Sequence, residues 1–209
     1  MAITGDKFTI MLPPKTGSTW LRQALNNAGV DWHNDGAEHG TPESALCDRE
    51  QGLLVRGPVP WLRSYYCFRF EAPVRLYPEL DEIIDSQVEI DGVKKPTKES
   101  FAAFVHDVLT LHPGFVSQMY WSYAEHYGGT IYVIQTEMLP ISLSATLTSM
   151  GVDFDFKSLD ATPVINDSKT AADLRISSSV MDMICDAEPM EILPDNSSYQ
   201  LFRRERLGL

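Results

Sequence analysis

The chain has 209 residues, a formal net charge of −12 and 44 % hydrophobic residues. Length and apolar content together suit one domain with a proper core, expected here over residues 1–209. So acidic a surface repels nucleic acid and anionic membrane, and the longest apolar runs fall far short of the ~20 residues that span a bilayer, so neither is an expected partner.

In chain order, residues 8–12 read as a buried strand, because Phe8, Ile10, Met11 and Leu12 form a short apolar run ended by Pro13-Pro14. A tight loop, Lys15-Thr16-Gly17, leads into a helix over 18–28 closed near Gly29. Residues 30–40 are polar and loop-like. Thr41-Pro42-Glu43 is a helix start, a capping threonine before a proline, which predicts a short helix at 42–49. A strand at 52–56 follows, then a turn made by Pro58 and Pro60, then a helix at 60–69 with Trp61, Leu62 and Tyr65 on its apolar face. From 71 to 96 prolines and acids break any period, which predicts an irregular excursion with one short helix near 78–86. Thr97 opens a helix to 111, and Pro113 opens another to 127, closed by Gly128-Gly129. A strand at 130–135 precedes a helix at 138–150 ending at Gly151, and 169–186 hold one or two further helices. Strands interleaved with helices indicate an α/β fold around a mainly parallel sheet flanked by helices.

The opening strand–loop–helix has a chemistry of its own. N–H groups at a helix start are unsatisfied, and the helix dipole adds roughly half a positive charge there. Lys15 adds a full charge, Gly17 lets backbone come close to a ligand, and Ser18 and Thr19 can donate from hydroxyls. Together they form an anion cradle. It is not the ATP-type loop G-x-x-x-x-G-K-[ST], because the lysine precedes the glycine and no glycine opens the loop.

Pro14-Lys15-Thr16-Gly17-Ser18-Thr19-Trp20-Leu21 is similar throughout to the 5′-phosphosulfate loop, P-K-[ST]-G-[ST]-T-W-L, of the PAPS-dependent sulfotransferases. A second element, Leu54 to Tyr66, resembles that family's 3′-phosphate segment, an arginine followed eight residues later by a serine. Arg56 and Ser64 have that spacing, while Gly57 departs from the acidic or amide residue usual after the arginine. Arginine suits the task, since its planar fork binds phosphate through two parallel hydrogen bonds. The strand leading into Glu137-Met138-Leu139, the Asn166-Asp167-Ser168 stretch and the ending Tyr199-Gln200-Leu201-Phe202 are also similar to family segments.

The resemblance implies a P-loop-like sulfotransferase fold, PAPS as donor and PAP as product, with no metal needed for chemistry. It implies that Lys15 contacts the oxygen bridging to sulfur, that residues 15–19 hold the 5′-phosphosulfate, and that Arg56 and Ser64 hold the 3′-phosphate. Trp20 matches the tryptophan that stacks on adenine, a contact worth roughly 1–3 kcal/mol.

Sulfuryl transfer also needs a base for the acceptor's proton. The window between the two phosphate elements holds His33, Glu38, His39, Glu43 and Glu50. His39-Gly40-Thr41 resembles the family's K-H-A-T element, with Glu38 where the lysine would be. His39 therefore ranks first, with Glu38 and His33 behind. Glu43 suits the first turn of its own helix.

The acceptor is expected to be a small molecule, neutral or cationic. Phe68, Phe70, Leu76, Tyr77 and Leu80 are candidates for its wall, or are the packing of an irregular segment. Arg22, Arg63 and Arg69 either add to the positive pocket or form ion pairs. Two alternatives stay open, a nucleotide-dependent small-molecule kinase and a non-catalytic PAP-binding protein. Cys47, Cys67 and Cys185 are scattered with no C-x-x-C pair, so neither a disulfide framework nor a zinc site is expected. The N-terminal residues lack the pattern of a secretory signal, which leads to the expectation of a soluble cytoplasmic protein. Oligomeric state is left open.

Overall fold

A computed structural model describes residues 2–36, 49–72, 74–90, 92–124, 131–163, 174 and 176–188. Five strands are β1 (Ala2–Thr4), β2 (Phe8–Met11), β3 (His33–Asp35), β4 (Glu50–Val55) and β5 (Ile131–Gln135). Helices among the described residues are α1 (Ser18–Asn27), α2 (Pro58–Glu71), α3 (Pro78–Glu89), α4 (Lys98–Leu111), α5 (Phe115–Ala124), α6 (Ile141–Ser149), α7 (Phe156–Asp160) and α8 (Ser178–Ala187). None of them is long and apolar enough to cross a membrane. The chain divides into two compact units. One comprises Met1–Gly57, Met119–Ile165 and Met190–Leu209, the other Pro58–Gln118 and Asn166–Pro189, so the division falls within α5.

The first unit carries an α/β arrangement on a five-stranded sheet of order β3-β1-β2-β4-β5. The sheet is mixed, which corrects the expected mainly parallel one. β2 pairs with β4, and β4 with β5, in parallel, whereas β1 pairs antiparallel with both β2 and β3. Only Gly5, Asp6 and Lys7 link β1 to β2, and so short a link permits a hairpin but no crossover. The Gly5 N–H donates to the Phe8 carbonyl at 2.9 Å, and a side chain at Gly5 would collide with the Phe8 ring. β3 falls in a stretch expected to be loop. It is a three-residue edge strand with His33 and Asn34 exposed, stabilised by pairing with β1 and not by its own composition.

Alternate residues of the central strands face one layer of helices, as the period of two requires. Phe8 and Ile10 of β2, Leu54 of β4 and Ile134 of β5 share a core with Trp20, Leu21, Ala24 and Leu25 of α1, Leu143 and Leu147 of α6, and Leu159 of α7. The expected helix at 138–150 is instead a 3-10 turn, Thr136–Met138, followed by α6. α1 and α6 do close as expected, with Gly29 and Gly151 in left-handed backbone just past their ends.

The second unit is helical over its described residues. The expected turn at Pro58 and Pro60 is the first turn of α2, where proline's missing N–H has no intrahelical partner to lose. Trp61, Leu62 and Tyr65 are buried as their spacing predicts. The short helix expected near 78–86 extends to Glu89 as α3. Thr97 caps α4 reciprocally with Ser100, and the next helix starts at Phe115, two residues past Pro113. The predicted helix at 42–49 lies outside the described residues, apart from Arg49, which is not helical.

Of the side chains offered for an acceptor wall, two take packing roles within this unit. Leu80 is buried, and Tyr77 packs against Trp61, Tyr65 and Phe115 at centroid distances of 5.7, 5.6 and 5.3 Å. Arg69 forms ion pairs with the buried carboxylate of Asp81 and with Asp85. The Tyr65 hydroxyl donates to Asp81 at 2.8 Å, and burial, then that contact, pushes the phenol well above its ordinary value.

Candidate functional site

In the first unit the chain leaves the carboxyl ends of the parallel strands β2, β4 and β5, the edge where open α/β sheets present ligands.

After β2, the loop folds back on itself through the Thr16 hydroxyl, which donates to the Pro13 carbonyl at 2.6 Å. Thr16 is thus buried and its side chain is engaged inside the loop. Lys15, half-buried, has a φ of 66°, a left-handed conformation that costs an ordinary residue about 1–2 kcal/mol. Strain of that kind is characteristic of ligand sites. Gly17, with φ 92°, stands at the N-cap of α1, and an added Cβ would lie 3.3 Å from the Thr136 methyl. No side chain caps α1, and its first turn holds no acid. The positive end of the helix is therefore not neutralised from within α1. Ser18 is half-buried and Thr19 exposed at that end.

Arg56 follows β4 and is half-buried. Its guanidinium Nη1 donates to the Lys15 carbonyl at 3.2 Å, tying the loop to the neighbouring strand end. The Tyr120 hydroxyl holds the Arg56 backbone on both sides, accepting from its N–H and donating to its carbonyl, each at 2.9 Å. After β5, the Thr136 hydroxyl lies 2.5 Å from the Thr16 carbonyl oxygen and 2.8 Å from that of Val55. The Glu137 Oε1 accepts the Gly57 N–H at 2.9 Å. The Glu137 side chain has open surface, yet the protein gathered around it pushes its carboxyl above the ordinary value, with the Gly57 N–H and the Arg56 charge pulling it back.

Trp20 is only 9 % exposed, with its indole N–H directed to the Thr162 carbonyl at 3.4 Å, which leaves little of the ring for a ligand. Ser64 is half-buried on α2 and belongs to the second unit. His39 and Glu38 lie outside the described residues. His33 pairs with Thr4, which pairs with Thr9, so it lies in a row two residues back from the carboxyl end of β2. Among the described residues no group of His, Cys, Asp or Glu is arranged to hold a metal ion.

Three residues of this edge were given no site role from the sequence: Tyr120, Thr136 and Glu137, although Glu137 belongs to a segment similar to one of the family's. Thr136 and Glu137 directly follow a strand of the parallel set, and that position was the available signal. Nothing local marks Tyr120, which reaches Arg56 across 64 residues of chain. Comparison with family models, with curated proteins and with solved structures finds no match to this chain.

Proposed function

We propose that the chain is a cytoplasmic PAPS-dependent sulfotransferase of P-loop-like fold, which moves a sulfuryl group onto a hydroxyl or amine of a small acceptor and releases PAP. One observation carries the reading. Lys15 sits in left-handed backbone beside the uncapped start of α1 and is tied through its carbonyl to the Arg56 guanidinium. Two cations and a helix dipole on one edge suit a ligand with two separate phosphate groups.

In this reading the N–H groups opening α1 and the Ser18 and Thr19 hydroxyls hold the 5′-phosphosulfate. Arg56 takes the 3′-phosphate with its fork. Lys15 neutralises the charge that grows on the bridging oxygen as the donor's S–O bond breaks and a new S–O or S–N bond forms to the acceptor. His39, from the resemblance, takes the acceptor's proton. Trp20 anchors α1 in the core. Positioning and electrostatics then supply most of the acceleration, as in phosphoryl transfer.

Calorimetric titration with PAP, ADP and ATP in the absence of metal tests the proposal. Tight PAP binding beside weak ADP binding is expected, because only PAP carries the 3′-phosphate. A preference for ATP, or no nucleotide binding, overturns it.

A further inference from the structure

Glu137 has no part in that scheme, yet it is hydrogen-bonded to the residue that follows Arg56. Its Oε1 holds the Gly57 N–H, one residue beyond Arg56, and the adjoining Thr136 hydroxyl reaches the Val55 carbonyl, one residue before it. The end of β5 thus fixes the backbone on both sides of the guanidinium. Gly57 is buried, so its amide needs an acceptor. A neutral oxygen would also satisfy it, through a weaker hydrogen bond. The negative charge is therefore more than the backbone requires, and it lies where it opposes an incoming phosphate. Because Gly57 directly follows Arg56, the carboxylate that holds its N–H lies one residue from that cation, whose charge draws the Glu137 carboxyl down.

Donor and product carry the same 3′-phosphate. A grip on that group strengthens PAPS and PAP binding alike, adds nothing to the chemical step and slows product departure. We infer that Glu137 is a positioning residue with two separable effects: its oxygen holds the Arg56–Gly57 corner in place, and its charge limits how tightly that corner holds the 3′-phosphate, so that spent nucleotide leaves. The inference rests on the sulfotransferase reading.

Two substitutions separate the effects. Glu137→Gln keeps an oxygen for the Gly57 amide and removes the charge. Glu137→Ala removes both. For Glu137→Gln the expected result is a melting temperature lowered far less than in Glu137→Ala, PAP binding tighter by about three- to tenfold, little change for ADP, and slower PAP release in a stopped-flow displacement. For Glu137→Ala it is a lower melting temperature and weaker PAP binding, because a buried amide loses its acceptor. PAP affinity and release unchanged or weakened in Glu137→Gln, with wild-type preference for PAP over ADP intact, overturns this inference alone. A wild-type protein that binds PAP no better than ADP overturns the reading and this inference with it.

Discussion

The Thr136 hydroxyl lies 2.5 Å from the carbonyl oxygen of Thr16, a residue 120 positions earlier in the chain. It is also 2.8 Å from the Val55 carbonyl, so one side chain at the end of β5 braces the exits of β2 and β4. A hydroxyl has a single proton and serves one carbonyl at a time. Thr136→Val keeps the shape and removes the proton. The expected loss is about 1 kcal/mol of stability, and PAP affinity should fall by roughly tenfold as the loop loosens. Thr136→Ser should recover most of both. Denaturant unfolding and calorimetry check the pair, and a valine variant with wild-type PAP affinity removes the brace from the site.

Lys15 combines a charge with a strained backbone, and two substitutions part them. Lys15→Ala and Lys15→Gly should both abolish sulfuryl transfer to any acceptor the wild type uses. Glycine tolerates the φ of 66°, whereas alanine retains the strain. Lys15→Gly should therefore unfold at higher denaturant than Lys15→Ala, by about 1 kcal/mol. Equal stability would show that the left-handed conformation is relaxed in solution, and retained turnover would remove Lys15 from the chemistry.

Arg56 binds through geometry as well as charge. Arg56→Ala should weaken PAP by about a hundredfold or more while ADP changes little, because truncation removes charge-assisted hydrogen bonds to the 3′-phosphate. Arg56→Lys should restore only part of it, since a point charge cannot supply two parallel hydrogen bonds. Parallel losses for PAP and ADP would reject a 3′-phosphate role and leave Arg56 as a tie to the Lys15 carbonyl.

Glu188 supplies a pH signature in the second unit. Its buried carboxylate accepts from the Val116 N–H at 3.1 Å and from the Ser117 N–H and hydroxyl, both at 2.8 Å. Burial raises its carboxyl above the ordinary value, and the three donors only partly offset this. A raised folded-state value means that the group's contribution is fully present below the unfolded carboxylate value and is lost as pH rises through the folded one. The stability of wild type relative to Glu188→Gln should therefore decline as pH rises through that window and then level off. Denaturant unfolding across a pH series measures it, and a difference that does not vary with pH contradicts the account.

Much of the site's local architecture was legible because it is written in short-range terms. The apolar run from Phe8 followed by Pro13-Pro14 predicts a strand and its end, and β2 is there. Gly17, Gly29 and Thr97 mark helix boundaries through backbone freedom or a capping oxygen, each acting within a few residues. The eight-residue pattern from Pro14 to Leu21 singled out Lys15, and Lys15 proves to have the left-handed backbone of a strained loop.

What sequence alone determined, then, was the strand–loop–helix and the place of Lys15 in its loop, because caps, breakers and apolar periods act between near neighbours. Only the tertiary structure decided which way β1 and β3 pair, since three-residue strands take their stability from partners and not from propensity. It alone brought Tyr120 of α5, and Thr136 and Glu137 past the end of β5, to the backbone of Thr16, Arg56 and Gly57, because hydrogen bonds between segments distant in sequence exist only once the strands and helices have packed. And it turned Thr16 and Trp20 inward, since a loop's own carbonyls and a helix's buried face compete with any ligand for the same side chains.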